Sequence, residues 1–163
     1  MDGLDSNDYA ILALLQANAR ERMEDIAAQT GLSVATVQRR IKILKTDGVI
    51  AHETAVIQPD RVGFDMTFLV MVELERERLV ELEAFKKQID AEPQVQQSYY
   101  VTGDFDFVLV VLARNVEHFK LLTQRLFFEN ANVKRFRTSL VMDRIKVSLT
   151  VPLEPPERTD VAG

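Results

Sequence analysis

The chain contains no cysteine. That absence excludes disulfides, a thiol nucleophile and cysteine-ligated zinc. Its two histidines, His52 and His118, stand far apart with no ligand-like spacing around them, so no metal site is expected. No apolar run approaches the roughly 20 residues of a membrane span. The acidic, polar start MDGLDSND is not a secretory signal. There is no Walker loop, no G-x-S-x-G elbow and no dinucleotide fingerprint, and nothing nominates a nucleophile with its base. An overall excess of cations is missing too, because the net charge is −5. The expectation is a soluble cytoplasmic protein that is neither membrane-bound nor an enzyme and has no cofactor. At 163 residues and 47% hydrophobic content, it has room for one domain or two small ones.

Against the acidic background, residues 26–50, IAAQTGLSVATVQRRIKILKTDGVI, carry a local basic face. Ala27, Gly31 and Val37 have the spacing of a helix-turn-helix. A small residue lets two helices approach, a glycine takes the positive φ that ends the first, and an aliphatic side chain locks the corner. Ser33 is placed to cap the second helix. Val37, Ile41 and Leu44 fall at i, i+4 and i+7 and form its buried stripe. The other face presents Ala35, Thr36, Gln38, Arg39, Lys42 and Lys45, with no carboxylate until Asp47. Cations grouped this way on an acidic chain suit a phosphate backbone. Ser33, Val34, Ala35, Thr36, Gln38, Arg39, Arg40, Lys42 and Lys45 are therefore the candidate DNA contacts. Those of the first turns (Val34, Ala35, Thr36, Gln38, Arg39) are assigned to base edges, and Arg40, Lys42 and Lys45 to phosphates.

Asp5 and Asp8 form a capping-box arrangement at the head of a first helix, whose stripe is Ile11, Leu12 and Leu15. Three helices in residues 5–47 are followed by a short extended segment or wing, 49–57. Gln58-Pro59-Asp60 and Gly63 break the chain. The expected division is a DNA-binding domain at 1–57, a linker at 58–65, a second domain at 66–151 and a disordered, proline-rich tail at 152–163.

The second domain reads as strand 66–74, helix 78–91 (Leu79, Leu82, Phe85, Ile89), strand 94–102, strand 107–113, helix 116–129 (Val116, Phe119, Leu122, Leu126, Phe127) and a last strand within 133–150. The two middle strands form a hairpin around Gly103-Asp104-Phe105-Asp106. The fold class is thus α+β: a three-helix, winged helix-turn-helix followed by a ferredoxin-like β-α-β-β-α-β sandwich. MTFLVMVEL and FVLVVLA are apolar on both faces. A sheet with helices on one side would leave the other side bare, which favours pairing with a second copy. Glu73, Glu75 and Glu77 read as a solvated edge, and Tyr99, Tyr100, Phe127 and Phe128 as core or interface.

Several stretches together resemble the Lrp/AsnC (leucine-responsive/asparagine-responsive, feast-famine) transcription regulators. They are LDSNDYAILALLQ at 4–16, the 26–50 segment, QPDRVG at 58–63, VTGDFDF at 101–107 and RTSLVM at 137–142. The resemblance implies a carboxy-terminal effector-sensing domain and homodimers paired through their sheets, assembling further into rings such as octamers. It also implies an amino-acid or related effector near the Gly-x-x-Asp turn where dimers meet. Here that turn is Gly103 to Asp106. A zwitterion needs an anion for its ammonium, which Asp104 or Asp106 supplies, and N–H donors for its carboxylate, which the chain around Gly103 offers. Thr138 matches the family threonine that reaches the pocket, and Thr102 adds a hydroxyl. Asn130-Ala131-Asn132-Val133 departs from the family's usual Leu-Pro-Gly-Val. The expected function is a sequence-specific regulator of transcription bound to double-stranded DNA. The other readings are an architectural, DNA-wrapping protein without a ligand, and a small-molecule enzyme with an accessory helical domain.

Overall fold

The structure, a computed structural model, describes residues 3–76 and 78–154. The described chain divides into two compact units, residues 3–55 with 147–154 and residues 56–146.

The first unit holds α1 (Ser6–Ala17), α2 (Met23–Thr30) and α3 (Val34–Thr46). Both arms of the Asp5/Asp8 capping box are made, at 2.9 and 3.1 Å. Gly31 ends α2 at φ 70°, in the left-handed region where a side chain would be strained. The Ser33 hydroxyl accepts the Thr36 N–H at the head of α3. Ile11, Leu12, Ile26, Ala27, Val37, Ile41 and Leu44 form the core between the helices. The segment after α3 differs from expectation: residues 51–57 form no strand, and all are exposed.

The tail expected from residue 152 is held at its start. The Gln16 amide donates to the Val151 carbonyl and accepts its N–H, both at 2.8 Å, and Leu153 packs on the helical core. The rest of that expected tail, 155–163, lies outside the described residues, as does Glu77.

The second unit opens with a short 3-10 turn, Pro59–Val62, closed by Gly63 at φ 81°. It then runs β1 (Met66–Leu74), α4 (Leu79–Asp90), β2 (Val95–Tyr100), β3 (Phe107–Ala113), α5 (Val116–Thr123) and β4 (Val133–Leu140). The sheet is antiparallel, in the order β2-β3-β1-β4. Phe68, Val70, Val72 and Leu74 of β1 and Phe107, Leu109, Val111 and Ala113 of β3 share the face covered by the helices. Phe68 stacks on Phe119 at 3.8 Å between ring centres, and Phe85 meets Phe107 edge-on at 5.1 Å.

Burial along β1 and β3 alternates, although the sequence is apolar on both faces. Leu69 is 39% exposed, and Met71, Val108, Val110 and Leu112 are half-buried on the open side. Leu79 and Val116, which help mark the two helices in the sequence, are 72% and 52% exposed. Each is the first residue of its helix, one turn ahead of the packed positions. The last turn after α5, Gln124–Phe128, is π-helical. The extra residue turns Phe127 into the core and leaves Phe128 74% exposed. The last strand ends at Leu140, well short of residue 150.

Candidate nucleic-acid interface and effector turn

α3 presents Ala35, Gln38, Arg39, Lys42 and Lys45 to solvent, while Val37, Ile41 and Leu44 face the core. Arg39 and Lys42 make no ion pair among the described residues, so their charge is available. Lys45 meets Glu53 at 2.8 Å, with both side chains 44% exposed. Such a surface pair is worth under about 1 kcal/mol and exchanges readily for another anion.

Three of the expected contacts are placed otherwise. Arg40 points at α1, with one guanidinium nitrogen 2.8 Å from Asp8 and another 2.8 Å from Asp5. Its side chain is 22% exposed. The guanidinium is raised further above its ordinary range by Asp8 first and Asp5 second. Arg40 is therefore a strut from α3 to the head of α1, engaged by two acids rather than standing free for a phosphate. Val34 packs against the helical core rather than standing free. Thr36 is half-buried, and its hydroxyl meets Ser33 Oγ at 2.8 Å. The charge pattern of the sequence counted Arg40 as a free cation. The acids that neutralise it lie 32 and 35 positions earlier, and were read only as a helix cap.

At the hairpin turn, Gly103 has φ 125°, where residues with a Cβ are strained, and nothing lies within 4 Å of a Cβ placed there. Thr102, Gly103 and Asp104 are exposed. Asp106 is half-buried and already engaged. Its N–H donates to the Val72 carbonyl at 2.9 Å, its carbonyl accepts the Val101 N–H at 2.8 Å, and its carboxylate accepts the Leu74 N–H at 2.6 Å.

Thr138 sits opposite Val70 on β4, an edge strand that β1 separates from β3. Within one chain it is thus not brought beside the turn. Its neighbour Arg137, which sequence reasoning passed over, lies 5.5 Å from the Phe105 ring centre. The signal was present, since Arg137 opens the RTSLVM stretch. Glu73 is not freely solvated either. Lys134 at 2.7 Å, with Arg135 beside it, holds its carboxyl below the usual range.

No group of three or more His, Asp or Glu side chains among the described residues is arranged to hold a metal. None of the described helices is long and apolar enough to cross a membrane.

Residues 67–151, just over half of the chain, match the model of the Lrp/AsnC ligand binding domain, and residues 4–51 match a winged helix-turn-helix DNA-binding model. The chain belongs to the Lrp/AsnC family. This Lrp/AsnC protein is a DNA-binding transcriptional regulator with a ligand-binding domain, and its curated relatives are regulators rather than enzymes. An HTH-type transcriptional regulator of Sinorhizobium fredii is 43% identical over 93% of this chain and 89% of its own. The glutamate uptake regulatory protein of Zymomonas mobilis is 30% identical over 98% and 95%. Among solved structures, an AsnC family transcriptional regulator from Agrobacterium tumefaciens superposes with a TM-score of 0.86 at 26% identity, covering 92% of this chain and 97% of that one. A Neisseria meningitidis regulator in complex with L-methionine shares the fold, with a TM-score of 0.85 at 24% identity over 93% and 97%.

Proposed function

We propose that α3 enters the major groove and that this regulator is switched by an amino acid or a related metabolite. The observation that carries the reading is the outer face of α3. Gln38 and Arg39 stand exposed in its first half, and Lys42 and Lys45 follow, with no acid on the helix. Gln reads adenine and Arg reads guanine through paired donors and acceptors, while lysines suit phosphates. Ala35, exposed in the first turn, lies nearest the groove floor, and Ser33 with Thr36 fixes the helix head.

The open face of the sheet supports a homodimer. Leu69, Met71, Val108, Val110, Leu112 and Tyr99 share it, and one chain leaves them uncovered. Two copies pressed face to face would bury them and present two α3 helices to successive major grooves, about 34 Å apart. Further association, to an octamer for example, would bring turns and β4 edges of different chains together. Thr138 and the 102–106 turn would then share one pocket across subunits.

In that pocket Asp104, exposed and without an ion pair among the described residues, is the better partner for an effector ammonium. Asp106 spends one carboxylate oxygen on the Leu74 N–H. The N–H groups around Gly103 and the Thr102 hydroxyl serve the effector carboxylate. The L-methionine bound by the Neisseria regulator supports an amino acid as the chemical class. Such a regulator works on DNA in the cytoplasm.

Footprinting across one promoter tests the reading. A bounded protected site that changes with one of the twenty amino acids is expected. Protection spreading along the DNA, indifferent to all twenty, would favour an architectural protein instead.

A further inference from the structure

The end of β1 is gripped from both edges. Toward the hairpin turn, the Asp106 carboxylate accepts the Leu74 N–H at 2.6 Å, and the Asp106 N–H donates to the Val72 carbonyl at 2.9 Å. The other edge meets Asn132, in the Asn130-Ala131-Asn132-Val133 segment that departs from the family pattern. The Asn132 carbonyl accepts the Glu75 N–H at 2.8 Å. Its side-chain amide takes both main-chain groups of Arg76. Oδ1 accepts the Arg76 N–H and Nδ2 donates to the Arg76 carbonyl, each at 3.0 Å.

A neighbouring strand would make that same pair of bonds with its backbone. The backbone of β4 does not, because the register shifts between Glu73 and Leu74 and the ladder ends at Leu74 opposite Val133. Asn132 adds a rung past that end with its side chain. An amide carries a donor and an acceptor on one planar group. A carboxylate offers acceptors alone, and Ala or Gly offers neither.

Asn132 is itself held. Its N–H donates to Asn130 Oδ1 at 2.9 Å, a local turn closed by a side chain, and Asn130 Nδ2 donates to Gln88 Oε1 of α4 at 3.0 Å. Where the family's usual proline would stiffen this bend through its ring, two asparagine side chains hold it here. The second of them reaches across to Arg76 as well.

We propose that Asn132 is a positioning residue of the effector site. By holding residues 74–76, it keeps the Leu74 N–H on Asp106 and so presents the turn with Asp104 free. The inference rests on the effector reading of that turn. Without the side-chain rung, residues 75 and 76 would keep, among the described residues, only the main-chain bond of Glu75 on Asn132. The end of β1 would then fray back to Leu74, and the bond to Asp106 would loosen first. A ligand would have to order what the wild type holds ready, and affinity falls when ordering is added to binding.

The twenty amino acids, L-methionine first, are screened by thermal shift against the wild type. The one with the largest shift is titrated by calorimetry into wild type, Asn132→Ala, Asn132→Gly and Gln88→Ala. Asn132→Gly carries the residue usual in the family, which guards against a variant that fails to fold. Both Asn132 variants should raise the Kd about tenfold. In amide hydrogen exchange, Leu74 should exchange faster in both, while Val70 in mid-strand exchanges as in wild type. Gln88→Ala cuts the tie to α4 and leaves the rung on Arg76, so its Kd should match wild type. An unchanged Kd in the Asn132 variants would overturn the inference and leave the effector reading standing. Equal weakening by Gln88→Ala, or faster exchange at Val70, would also overturn it, since either marks a general loosening of the sheet. No shift of the wild type with any of the twenty would remove the effector reading, and this inference with it.

Discussion

The carboxylate of Asp106 accepts the N–H of Leu74 at 2.6 Å. It thereby ties the end of the hairpin turn to the last residue of β1, one bond beyond the ladder that joins β1 to β3. The second acid of the Gly-x-x-Asp turn is thus part of the sheet before any ligand arrives. The exposed acid, Asp104, has no such duty.

The two acids should separate in mutants. Asp106→Ala strands a backbone donor and should cost about 1–2 kcal/mol of stability, along with any effector response. Asp104→Ala should abolish the response with the melting temperature within a degree of wild type. Thermal melts with and without the amino acids check this. Equal destabilisation by both changes would contradict the assignment.

Arg40 should behave as a strut and not as a DNA contact. Arg40→Ala leaves Asp5 and Asp8 facing each other across the α1–α3 junction and should cost roughly 1–3 kcal/mol, between the values for exposed and buried pairs. The slope of DNA affinity against salt should stay as in wild type. Lys42→Ala, by contrast, should lower that slope by about one ion without changing the melting temperature. A reduced salt slope for Arg40→Ala would return it to the phosphates.

The same junction should give an acid-sensitive component. The Asp8 N–H, with Arg40, holds the Asp5 carboxyl below its ordinary value of 3.8. A carboxyl lowered in the folded state lends stability that is present above its unfolded value and lost as pH falls through the folded one. The helical unit should therefore lose stability below pH about 4. Asp5→Asn should be weaker at neutral pH and flatter across that range when melts are compared from pH 7 to pH 2. Parallel curves for the two proteins would rule out the linkage.

How much of this was legible depended on the range of the interaction. Val37, Ile41 and Leu44 repeat every turn, and Gly31 and Ser33 act on their own neighbours, so the helix-turn-helix could be read directly. The order of strands and helices followed from periodicity in the same way. Leu79 and Val116 lie in the expected helices, but a helical stripe does not say which of its residues falls in the first, unpacked turn. The seven apolar residues of β3 could not say which face the helices cover and which stays open. Arg40 and Asp106 look free in the sequence because their partners lie 32 residues or more away. Sequence shows the charge of a side chain but not what neutralises it.

The open face of the sheet makes its own prediction. Val110, paired across from Leu69 and half-buried, stands near the middle of that face. Val110→Glu should convert the assembly to monomers in light scattering, with the circular dichroism of the sheet retained. It should weaken operator binding at least tenfold, because each half-site is then bound alone. An intact dimer would show that the face is not the interface.

The most direct test concerns α3. Operators selected from random duplexes by the wild type are titrated with wild type, Gln38→Ala and Arg39→Ala, each against unselected DNA at one salt concentration. If these side chains read base edges, the ratio of operator to unselected affinity should fall by about 1–3 kcal/mol for each change, with unselected binding altered far less. Ratios unchanged in both variants would contradict the placement of α3 in the groove.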